Sequence, residues 1–129
     1  MMKNIDSWFA CILAVIAFVA WASVVTAQRI SPKIEVDLEG VNDEGLRGPP
    51  TGLRAVHYEF CIPAGQRYAA EVRGIDPTVL LMPASRGRIG CTTRQVLAMG
   101  NTHQPSYREV LDRLAALVYI ERIVESPFE

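Results

Sequence analysis

Residues 54–129 predict an α+β domain with elements in the order strand, helix, strand, strand, helix, strand. Three observations carry this expectation. Val56, Tyr58, Phe60 and Ile62 alternate with His57, Glu59 and Cys61, the period of two that a half-buried strand requires. Tyr68, Val72 and Ile75, and later Tyr107, Val110, Leu111, Leu114, Leu117 and Val118, recur every three to four positions, the period of a helix with one buried face. Short apolar runs bounded by Gly, Pro and polar clusters fill the remaining strand positions.

The first strand ends at Pro63, which has no N–H to donate and suits a first helical position. The helix that follows stops at Asp76-Pro77, because the residue before a proline is pushed out of the α region. Residues 78–82 form a short apolar strand closed by Pro83, and residues 84–91 a glycine-bearing loop or extended piece. A polar turn at 92–94 leads into a strand over 95–100, and a polar connection at 101–105 into the second helix. Ser106 and Glu109 have the Ser-x-x-Glu spacing of a capping box. The last strand is expected over 119–124.

This order is that of the ferredoxin-like split βαβ arrangement, an antiparallel sheet with both helices on one face. The crossover rule leads us to expect the first and third strands side by side and parallel at its centre.

Ahead of this domain lie two other regions. Residues 8–27 carry no charge, and an N-terminal hydrophobic helix is expected there. Lys3 before the run and Val25-Thr26-Ala27 at its end fit a cleaved signal peptide, while its length matches the ~20 residues that cross a bilayer. Both readings of 1–27, signal or membrane anchor, send the rest of the chain out of the cytoplasm. Residues 28–53 are acidic and rich in Gly and Pro, the character of a linker, although Ile34, Val36 and Leu38 alternate with acids as an edge strand does.

Removing Lys3 and Asp6 leaves twelve cations against thirteen acids from residue 28 onward. Such a chain has no positive field for gathering phosphates, so nucleic acid is not among its expected partners. Arg86-Gly87-Arg88-Ile89-Gly90 also lacks the stacking aromatics that RNA recognition needs.

Cys11 lies inside the apolar run, which leaves Cys61 and Cys91 as an even pair in an oxidising compartment, where a disulfide is the default. If the central strands ran parallel, Cys61 and the Asn101–His103 connection would emerge at the same sheet edge, near helix N-termini. Cys61, His103 and Asn101 are therefore candidate ligands for a metal or small molecule. Arg86, Arg88 and Arg94, grouped around a glycine-bearing loop, are candidates for binding an anion. No pattern fixes a catalytic residue, and no cofactor is called for beyond that metal.

The sequence thus predicts a small exported or membrane-tethered, non-catalytic domain. It would bind a protein partner, or serve as an accessory subunit in the cell envelope, with the membrane itself a partner through residues 8–27 if these are retained. The alternative is an extracytoplasmic metal- or small-ligand-binding domain using Cys61, His103 and Cys91.

Overall fold

A computed structural model describes residues 29–127. The apolar run at 8–27, with its expected N-terminal helix and Cys11, lies outside the described residues. The described residues form a mixed α+β fold: a five-stranded sheet, a separate two-stranded ribbon and two helices.

Strand β4, His57–Pro63, runs through the middle of the sheet. Tyr58, Phe60 and Ile62 are at most 1% exposed and join one buried cluster with Val72 of helix α1 (Gln66–Ile75) and Leu111 and Leu114 of helix α2 (Tyr107–Ala115). Each such side chain contributes roughly 1.5–3 kcal/mol by leaving water, so this apolar set is a main source of stability. Strand β6, Gln95–Asn101, pairs with β4 along its whole length, from His57 against Asn101 to Pro63 against Gln95. Strand β5, Leu80–Met82, lies outside β6, and β7, Ile123–Glu125, lies on the other side of β4.

The two central strands are adjacent but antiparallel, which corrects the parallel expectation. The crossover through α1 returns the chain as β5, parallel to β4 but one strand's width away. The reversal between β5 and β6 then fills that gap with a strand running the opposite way.

Residues 34–47 fold onto the sheet. Strand β1, Ile34–Glu35, pairs in parallel with β7 at the sheet edge, and Ile34, Val36 and Val41 enter the core. Strands β2, Leu46–Arg47, and β3, Arg54–Ala55, form the small ribbon. Gly45 shows why the approach is close: its φ is +78°, and a Cβ there would fall on the Thr102 carbonyl. The Thr102 hydroxyl donates to the Gly45 carbonyl at 2.5 Å and accepts the Val56 N–H at 3.0 Å.

Three local expectations shift. Helix α1 starts at Gln66, not Pro63, because Pro63 still pairs with Gln95 at the end of β4. Ser106 precedes α2 in the left-handed conformation, φ 54°, and its side chain makes no capping bond, so the capping box does not form. The last strand begins only at Ile123, because residues 116–120 continue from α2 in hydrogen-bonded turns that bury Ile120.

Candidate functional site

The odd-numbered face of β4 carries His57, Glu59 and Cys61, with Leu97 and Met99 of β6 and Met82 of β5 beside them. An irregular loop, residues 83–94, folds across it. Cys61 and Cys91 are joined by a disulfide with their Cα atoms 5.5 Å apart, as the even pair of cysteines predicts. The Ile89 N–H donates to Glu59 Oε1 at 2.6 Å, and the Cys91 N–H to the Arg86 carbonyl at 2.8 Å. Gly87, at φ +63°, rests so near that a Cβ would come within 2.7 Å of Leu97 and 3.2 Å of the Glu59 carboxylate. The loop thereby buries Glu59 to 2% exposure on a face whose alternation alone would leave it in solvent.

Between loop and sheet lies a groove of about 720 Å³. Met82, Leu97 and Met99 supply its apolar wall, Glu59 its floor, and Arg86 and Arg88 line it from the loop. Ser126 and Pro127 close one end and also wall a second recess of about 840 Å³, lined by Arg47, Arg54, His57 and Glu125 among others. Arg47 is neutralised there by Glu125 at 2.5 Å. Long flexible thioethers and a guanidinium rim suit an apolar side chain flanked by carboxylates.

The sequence-derived candidates divide. Arg86 and Arg88 meet at this groove, whereas Arg94 lies beyond it, its carbonyl accepting the Ala64 N–H at 3.1 Å. Cys61 and His103 do not come together. Antiparallel pairing sets Cys61 opposite Leu97 and puts His103 two residues past Asn101, at the other end of the sheet. His103 lies six positions beyond Leu97, roughly 20 Å of extended chain. His103 Nδ1 lies 3.1 Å from the Glu44 carbonyl, and the Asn101 side chain accepts the His103 N–H at 3.0 Å. Both sulfurs are in the disulfide, and among the described residues no group of three or more His, Cys, Asp or Glu is placed to hold a metal ion.

Sequence reasoning missed a second buried polar cluster. Asp76, fully buried, accepts from the Tyr58 hydroxyl, from the Thr78 N–H at 2.9 Å, from the Thr78 hydroxyl at 2.6 Å and from Gln104 Nε2 at 3.0 Å. These donors replace the water that a carboxylate loses on burial. Burial first, then the adjacent Asp76 charge, holds the Tyr58 phenol well above its ordinary range. The only signal in the sequence was an Asp before a proline, which marks a helix end and not an anion cage.

The fold and the covered sheet face define a small disulfide-bonded α+β domain with a shallow cationic-rimmed groove. No protein-family model matches the chain, and comparisons with curated proteins and with solved structures likewise find no match.

Proposed function

We propose that this protein is a small exported or membrane-tethered, non-catalytic domain that binds a protein partner, or acts as an accessory subunit, in the cell envelope. The observation that carries the reading is the groove beside the loop that the Cys61–Cys91 bridge fastens to the sheet, lined by Met82, Leu97 and Met99 from the strands and by Arg86 and Arg88 from the loop. The partner it suits presents an apolar side chain next to acidic ones. A disulfide persists in oxidising compartments, and the uncharged run at 8–27 is the means of reaching one. Both support an extracytoplasmic site of action. The order β7-β4-β6-β5 supports the ferredoxin-like reading of the central four strands, with β1 added at one edge.

A photoreactive residue at Met99 tests this in the native host. It should capture one protein of fixed mass in the envelope fraction. The Arg86→Glu, Arg88→Glu double variant should lose that capture at an unchanged melting temperature. Capture that survives the double variant, or an intact protein confined to the cytosol, would overturn the reading.

A further inference from the structure

Described residues include four large hydrophobics that are exposed: Ile30, Leu53, Leu80 and Val118. Two of them are Ile30, at 59%, close to where the described chain begins, and Val118, at 79%, just past helix α2. Lys33 reaches toward the second, its Nζ donating to the Leu117 carbonyl at 3.1 Å, and stands three positions after the first in the chain. Arg29, Arg108 and one acid, Asp112, line a recess with Ile30, while Lys33 lies by Leu117, near the Glu35–Arg122 ion pair.

The length of chain ahead of this patch decides what can cover it. The uncharged run ends at Ala27, three residues before Ile30, and three residues span at most about 10 Å. The headgroup layer on each side of a bilayer is about 5–8 Å deep. A run that crosses the membrane therefore leaves Ile30 at the level of the headgroups, with no spacer between lipid and fold. The chain is already paired with Ile123 at Ile34.

We propose that the face carrying Ile30, Lys33 and Val118 docks on the surface of an anionic bilayer. The inference rests on retention of residues 1–27 as an anchor. Ile30 and Val118 sit among the headgroups with their apolar ends toward the acyl boundary, while Arg29, Lys33 and Arg108 meet lipid phosphates, the division of labour of interfacial segments. The groove lined by Arg86 and Arg88 is a separate surface and stays available to a protein partner.

The test uses the full chain, with residues 1–27 verified by intact mass, reconstituted in vesicles of phosphatidylcholine with a minority of phosphatidylglycerol. A benzophenone amino acid replaces Ile30, Val118, Leu53 or Leu80, one at a time. Leu53 precedes β3, and Leu80 lies on β5, at the sheet edge opposite β1, so both serve as exposed apolar controls. Irradiation should give several-fold more lipid adduct at 30 and 118 than at 53 and 80, and less when phosphatidylglycerol is omitted. Flotation of the vesicles reads anchoring independently. A chain that floats yet labels equally at all four sites, or cross-links to a second copy from 118, overturns the docking and leaves the anchor standing. A chain that does not float overturns both.

Discussion

Glu59 accepts the Ile89 N–H across thirty residues of sequence, and through that bond a loop without regular structure is fastened to the face of a sheet. The Cys61–Cys91 bridge fastens the same loop two residues further along each partner. One contact is polar and the other covalent, and together they decide that this face presents a groove and not bare strands.

Breaking either fastening should release the loop while leaving the helical core intact. In the chain-entropy account a bridge closing about thirty residues contributes about 3–4 kcal/mol, so Cys61→Ser with Cys91→Ser should lower unfolding stability by about that much. Glu59→Ala strands a backbone donor and should cost about 1–3 kcal/mol. Urea unfolding checks both magnitudes. Hydrogen exchange of the native variants should quicken over residues 84–91 and stay slow at Phe60 and Leu97. Equal quickening in the core would show that the loop is not a separable cover.

Tyr58 makes stability depend on alkaline pH. Its phenol is raised above the ordinary value of 10.0 in the folded state, so folding favours the protonated form. The stabilisation is fully present below pH 10 and is lost as pH rises from there toward the folded-state value, because the unfolded chain releases that proton first. One such group contributes a slope of about −1.4 kcal/mol per pH unit above that point. Tyr58→Phe should remove this contribution from the alkaline limb. At neutral pH it should cost about 1–3 kcal/mol, since Asp76 loses a donor in a buried site. Denaturant titrations of both proteins between neutral and strongly alkaline pH measure the two effects together.

Two glycines should respond in opposite directions to the same change. Gly74 lies within helix α1 with nothing near the position of a Cβ, so Gly74→Ala should stabilise by about 0.5–1 kcal/mol through lost backbone freedom in the unfolded chain. Gly45 has positive φ and faces the Thr102 carbonyl, so Gly45→Ala should destabilise by about 2–3 kcal/mol. Melting temperatures moving up for the first and down for the second are the expected outcome. A neutral Gly45→Ala would mean that residues 41–46 are not held against Thr102.

What lay open to inspection in the sequence was whatever a residue shares with its near neighbours along the chain. The two-residue alternation from Val56 to Ile62 marked β4 and its buried face, the helical stripe from Tyr107 to Leu114 marked α2, and Asp76-Pro77 marked the end of α1. The cysteine pairing was legible too, because only two cysteines follow the apolar run. Tertiary structure alone decided the relations between distant segments. The antiparallel course of β6 beside β4 sent His103 away from Cys61, the docking of Gly45 on Thr102 drew an acidic stretch into the fold, and the loop over Glu59 turned an outward acid into a buried one. The physical reason is that periodicity reports which side of a strand or helix is apolar. Which segment covers that side is settled by hydrogen bonds and close contacts between residues thirty to sixty positions apart, and no local pattern encodes those.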